Sequence, residues 1–353
     1  MNDWLDNLAE LLHRDEPCVL LTVAAVRGSA PRETGAKMIV TATETIGTIG
    51  GGQLEYKCTQ IAADNIRRNK PGNQHFLRKF PLGSNCGQCC GGVVDVMFER
   101  IGKESTPWLQ MLQAKNTERT PVVIASAIDG NAGKFLITAE DCVFPRGNGE
   151  CSQELLVAAR ALLATNGNAT QDSGFLLEPI CESNFHIAVF GAGHVGAATV
   201  DALSRLDAKI RWIDNRKRIF PPRLAANVTS LESADPAREV AAMPAGSYYL
   251  VMTHSHPLDL DICNRILYRN DFSYCGLIGS LSKRRRFERL LRKQGITDES
   301  LRRLVCPIGI SGIAGKKPAE IALSVAAEVL RTRDALHNVE HARHDVAAGL
   351  RVV

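Results

Sequence analysis

Apolar and polar positions divide this chain into two kinds of pattern. In the first half the apolar runs are short and broken by glycine. CVLLTVAAV (18–26) is a continuous apolar, β-branched run and predicts a buried strand. Arg27 to Gly35 interrupts it with turn residues and two arginines, and AKMIVTAT and ETIGTIG then predict a hairpin. QLEYKCTQIAADNIRRN (53–69) has helical period and follows Gly50-Gly51-Gly52 directly. HFLRKF and the alternating VVDVMFE (93–99) read as strands, and PVVIASAIDGNAGKFLIT (121–138) as a hairpin turning at Asp129-Gly130-Asn131. CSQELLVAARALLATNG (151–167) is helical, with Gly167 as its C-cap. No internal repeat is visible.

From HIAVF (186–190) onward, strands and helices alternate: KIRWI, SYYLVMT, a helix around DLDICNRILYR, YCGLIGS, then SKRRRFERLLRKQG and a closing helix over 318–336. That alternation predicts a doubly wound parallel sheet. The fold class is therefore α/β, with a mixed α/β domain over 1–182 and a Rossmann-like domain with a C-terminal helix and a charged, loose tail over 183–353.

Composition changes this picture little. Of 353 residues, 45% are hydrophobic and 23% charged, as in ordinary globular proteins, and a net charge of +4 does not suggest nucleic acid as a partner. The N-terminal MNDWLDNLAELLHRDEP is amphipathic and lacks the order of an export signal, and no apolar run reaches the ~18 residues of a membrane span. A cytoplasmic location away from membranes is expected. Structural disulfides are not, so most of the eleven cysteines read as buried small hydrophobes.

Candidate chemistry lies in loops. Gly191-Ala192-Gly193-His194-Val195-Gly196 follows a strand and opens a helix, and Asp214 ends the next strand about 20 residues on, where a ribose partner would sit. This is a place for NAD(P) or another nucleotide. A helix N-terminus behind close-approach glycines also suits any phosphate. Thr253-His254-Ser255-His256 falls at a strand end on the same side of the sheet, with His254 and His256 as ligand contacts or a weak zinc pair. Ser280 or Ser282 caps the next helix, which carries the basic run from Lys283 to Arg286. Gly309 to Lys317 fails as a P-loop, because five residues instead of four separate Gly309 from Gly315, and Lys317 stands where a serine or threonine is needed. In the first half, Arg32 sits at a strand end, and the three glycines before the helix offer unpaired N–H groups beside Glu55. CGQCCGG (86–92) allows a redox pair, a metal cluster, a thiol presented to a soft metal or to sulfur, or a plain turn.

Seven stretches, taken in order, resemble the XdhC/CoxI family of xanthine dehydrogenase accessory proteins: RGSAPRETGAKMIV, GTIGGGQLE, CGQCCGG, VFGAGHVG, THSHPLD, CGLIGSLSKRRRF and CPIGISGIAGKKPAEIALSVAAEVL. The resemblance implies a chaperone without turnover of its own. Such a protein binds the molybdenum cofactor (Mo-molybdopterin) transiently, supports its sulfuration by a cysteine desulfurase, and delivers it to the molybdenum subunit of xanthine dehydrogenase. It implies Cys90 as the contact to molybdenum or its incoming sulfur, with Cys86 and Cys89 beside it and Arg32 and Lys37 meeting the cofactor's charge. A homodimer would shield the cofactor between subunits. The alternative is an NAD(P)-dependent oxidoreductase using Gly191, Gly193, Gly196 and Asp214 with His254 or His256 as acid–base.

Overall fold

The computed structural model describes residues 3–68, 75–83, 91–128, 133–143, 151–165, 167–181 and 183–347, with side chains to Leu336. The chain divides into two compact units, Asn2–Glu182 and Ser183–Val353. Among the described residues no helix is long and apolar enough to cross a membrane.

The first unit runs α1 (Asp3–His13), β1 (Cys18–Arg27), β2 (Lys37–Val40), β3 (Thr45–Gly47), α2 (Gly52–Arg67), β4 (His75–Pro81), β5 (Val93–Ile101). The same order then recurs as α3 (Thr106–Thr117), β6 (Val122–Ala127), β7 (Lys134–Ile137), β8 (Cys142–Val143), α4 (Gln153–Thr165), β9 (Thr170–Asp172), β10 (Phe175–Ile180). Each series makes an antiparallel five-stranded sheet, ordered β3-β2-β1-β5-β4 and β8-β7-β6-β10-β9. The registers agree: Leu20 faces Ile39 and Glu99, as Ile124 faces Leu136 and Glu178. The unit is an internal duplication. The expectation of no repeat is corrected here. Equivalent positions differ in identity and the connecting loops differ in length, so no fixed period survives in the sequence.

The packing explains the apolar runs. Cys18, Leu20 and Ile39 share a core with Ile124, Leu136, α1 and α3, while Val19, Leu21 and Val23 pack under α2. Strand β1 is therefore apolar on both faces. The duplication places Lys37 and Lys134 at equivalent positions, two residues before Ile39 and Leu136. They pair crosswise. Lys37 binds Glu178 and the Thr22 hydroxyl, its ammonium 4.8 Å from the Trp4 ring. Lys134 binds Glu99 at 2.7 Å, 4.1 Å from the Trp108 ring. Each half thus supplies the counter-charge of the other.

The second unit holds β11 (His186–Phe190), α5 (His194–Leu203), β12 (Lys209–Asp214), β13 (Val228–Glu232), β14 (Tyr248–Val251), α6 (His256–Arg269), β15 (Tyr274–Leu277), α7 (Leu281–Lys293), α8 (Asp298–Arg302), β16 (Leu304–Val305) and α9 (Pro318–Ala347). Its six-stranded parallel sheet has the order β13-β12-β11-β14-β15-β16, the doubly wound dinucleotide-fold order. The sequence pattern missed β13 and β16. Helix α9 runs on to Ala347, through a stretch expected to be loose.

The ion pairs predict a stability outcome. Lys37 and Glu178 expose 8% and 5% of their side chains. Glu178→Gln leaves a buried ammonium unpaired and is expected to cost about 3–5 kcal/mol in denaturant unfolding. The double change Lys37→Met with Glu178→Leu should recover most of that loss, and Glu99→Gln should resemble Glu178→Gln. A cost under about 1 kcal/mol would refute the role of the pair.

Candidate functional site

In the first unit three loops meet. The β1–β2 loop is wedged between two glycines of other loops. A Cβ on Gly92 would lie 2.2 Å from the Ser29 carbonyl oxygen, and one on Gly50 would lie 2.3 Å from Pro31 Cγ. The Leu82 N–H donates to the Gly92 carbonyl at 2.9 Å, so the two strand ends that flank the cysteine loop are tied together. Cys86, Cys89 and Cys90 themselves lie outside the described residues.

Below that root sits a pair the sequence reading missed. Asp95, 4% exposed, takes the Arg27 guanidinium at 2.7 Å through Oδ2, and its Oδ1 is buried without a hydrogen-bond partner among the described residues. The available signal was one acid in the middle of VVDVMFE.

The glycine run is filled from within the chain. The Glu55 carboxylate accepts from the N–H groups of Ile49 at 2.9 Å, Gly50 at 3.1 Å and Gly51 at 2.8 Å, and from the Thr48 hydroxyl. Burial works to raise its pKa, but the Thr48 hydroxyl and these N–H groups outweigh it and hold the carboxylate below its usual range. The expectation of unpaired N–H groups at Gly50, Gly51 and Gly52 is thereby corrected: Glu55, from the first turn of α2, already answers the first two. Lys37 is corrected as well, since its ammonium is held by Glu178 on a neighbouring sheet. Arg32 stays near the loops' surface, paired with Glu33 at 3.0 Å and donating to the Thr48 carbonyl at 3.3 Å.

In the second unit the fingerprint turn is tightly built. A Cβ on Gly191 would lie 2.3 Å from the Met252 carbonyl oxygen, whereas one on Gly193 would meet nothing within 4 Å. Room for an anion therefore remains before α5, where His194 is exposed. Gly196 lies against the Gly191 carbonyl, to which Trp212 Nε1 also donates at 3.0 Å.

Asp214 is engaged internally. Its Oδ2 accepts from the Ala192 N–H at 2.6 Å and the Arg216 guanidinium at 2.8 Å, and its Oδ1 accepts from the Arg216 N–H at 2.9 Å and Nε at 3.0 Å. The carboxylate closes the glycine turn, and the part-exposed Arg216 is paired with both of its oxygens.

At the end of β14, Ser255 caps α6 and His254 and His256 are exposed. No group of three or more metal-ligating side chains is found among the described residues. The organising residue here is Asp259, which is fully buried. It accepts from the Thr253 N–H at 3.0 Å and hydroxyl at 2.7 Å, and from Lys283 Nζ at 2.6 Å. Lys283 also donates to the Ile278 carbonyl at 2.9 Å, so its charge holds two loops together and is not offered to a ligand. Ser280 caps α7, accepting from the Lys283 N–H at 3.3 Å.

Asp214 gives a pH prediction. Burial raises its pKa, but the Arg216 and Ala192 bonds prevail and bring it from 3.8 to about 2. A depressed folded pKa means stability present above pH ~4 and lost as pH falls toward 2, about 2 kcal/mol in all. Urea unfolding across that window should show this loss in the wild type. Asp214→Asn should be less stable by a similar amount at pH 7 and lose less on acidification. Parallel acid limbs for the two proteins would refute the assignment.

Comparisons with known proteins bear on both units. Residues 11–78 match the model of the XdhC and CoxI family, and residues 187–329 match the XdhC Rossmann domain. The cysteine loop falls between the two matched spans. A probable xanthine dehydrogenase subunit from Bacillus subtilis (strain 168) is 25% identical over 338 residues, 94% of this chain and 98% of that protein. The uncharacterized protein YqeB of Escherichia coli (strain K12) is 22% identical over 329 residues, and the match spans 92% of this chain but only 45% of that protein. A crystal structure of a xanthine dehydrogenase from Bacillus halodurans has the same fold, with a TM-score of 0.73 at 21% identity, over 95% of this chain and 96% of that one. With one family model on each unit, the chain belongs to the XdhC and CoxI family.

Proposed function

We propose that this chain is an accessory protein of xanthine dehydrogenase. It takes up the molybdenum cofactor as cargo, supports exchange of an oxo ligand for a terminal sulfur drawn from a cysteine desulfurase, and passes the cofactor to the enzyme's molybdenum subunit. The observation that carries the reading is the meeting of the 28–32, 48–51 and 91–92 loops at the root of the cysteine loop. The name of the Bacillus subtilis relative, which matches nearly the full length of both chains, supports xanthine dehydrogenase as the enzyme served.

In this reading each part has a limited task. The glycine contacts fix where the ends of the thiol-bearing loop stand. Arg32 supplies positive charge beside it. Glu55 stiffens the glycine run. Cys90 meets the molybdenum or its incoming sulfur, a role that suits a soft thiolate. Other thiols are poorer candidates. Burial pushes Cys18 up to about 12 and raises Cys181 and Cys306, and Cys263 is raised by its bond to Cys275 and by burial. When bound, the cofactor supplies the metal centre at which oxo and sulfido ligands exchange. The open place at Gly193 suits a phosphate.

The test is reconstitution of apo xanthine dehydrogenase with molybdenum cofactor, with and without this protein. The wild type should raise the yield of active enzyme severalfold. Cys90→Ala should lose most of that gain while keeping its circular dichroism. Absence of any rise with the wild type would sink the reading, and NADH consumption with a small carbonyl substrate would favour an oxidoreductase in its place.

A further inference from the structure

A basic cavity lies at the far end of the same strands. The cysteine loop leaves β4 after Pro81 and enters β5 at Val93, whereas the cavity is built at the His75 and Ile101 ends and at the C-terminus of α2. The register places Phe76 opposite Phe98. By strand alternation Phe76, Arg78, Phe98 and Arg100 then share the face that α2 covers. Where α2 ends, the cover is incomplete and leaves a cavity of about 330 Å³, lined by Ile61, Asp64, Asn65, Arg68, Phe76, Arg78 and Arg100. That volume is at the lower end of the range of small-molecule sites, about 300–1,000 Å³.

Among the described residues, two of the three arginines that line this cavity have unpaired charges. Arg100 donates to the Asn65 carbonyl at 3.4 Å, a cation serving a helix C-terminus. Asp64, the one acid among the lining residues, is paired with Arg67 at 3.0 Å. The guanidinium groups of Arg68 and Arg78 have no hydrogen-bond or ion-pair partner among the described residues. Like charges gathered around one concavity repel each other until an anion enters, and the arginine fork suits phosphate oxygens in pairs. The wall is apolar and flat: Phe76 stacks on Phe98 with centroids 4.9 Å apart and planes 2° apart, and Ile61 stands beside it.

We propose that this cavity binds a phosphomonoester of a planar heterocycle, with the phosphate held by Arg68 and Arg78 and the ring against Phe76 and Ile61. The site is separate from the cysteine loop and does not rest on the cargo reading.

Calorimetric titration of the full chain with adenosine monophosphate, inorganic phosphate and adenosine tests it. Adenosine monophosphate should bind more tightly than phosphate, and adenosine should not bind measurably. Arg78→Ala and Arg68→Ala should each weaken adenosine monophosphate at least tenfold without changing the circular dichroism. Arg78→Ala should leave the activation of xanthine dehydrogenase unchanged, so the two readings fail separately. No binding of either phosphate compound by the wild type, or equal binding by the Arg68→Ala/Arg78→Ala protein, would overturn the site. Equal affinity for phosphate and adenosine monophosphate would overturn the ring's place against Phe76.

Discussion

The crossed ion pairs Lys37–Glu178 and Lys134–Glu99 are the constraint on which the first unit depends. A buried ammonium without its carboxylate is a costly defect, so neither half can move relative to the other without exposing both charges. The Trp4 and Trp108 rings, each facing one ammonium group, add a second tie to each lysine. Held in this way, the two sheets give the loops at their ends a fixed base. Loops set on rigid strands can hold a geometry that free loops cannot.

The duplication also shows where the two halves diverge. Both halves share one skeleton, yet they differ at the link between their last two strands. In the second half Asp172 and Phe175 are joined by Ser173 and Gly174 alone, a tight turn. In the first half the same link runs from Pro81 to Val93 and contains CGQCCGG. Likewise Glu55 fills a run of backbone N–H groups in the first half, and its counterpart on α4 is an apolar position, since buried Leu54 corresponds to buried Leu155. The longer link and the filled glycine run both belong to the first half.

The parallel sheet, its glycine turn and the strand-end position of Thr253 to His256 were legible, because alternation and helix-start signals are local. The first strands and both outer helices were legible for the same reason. What escaped was every interaction between distant positions. Nothing near Lys37 announces Glu178, and nothing near Lys283 announces that Asp259 will hold it. Basic residues therefore read as ligand contacts when they are structural cations. The duplication was hidden because burial demands only apolar character at equivalent places, so Leu20 and Ile124 serve equally well without resembling each other in sequence.

Asp214 sharpens the reading of the second unit. A carboxylate that reads a ribose diol needs oxygen lone pairs facing the crevice. Here both oxygens accept from the chain itself, and the side chain is 2% exposed beneath Arg216. The phosphate end of the crevice is different, since the space beyond Gly193 is open. A doubly wound sheet with an open phosphate place and a closed ribose place suits a ligand gripped by its phosphate more than a nicotinamide dinucleotide gripped at both ends.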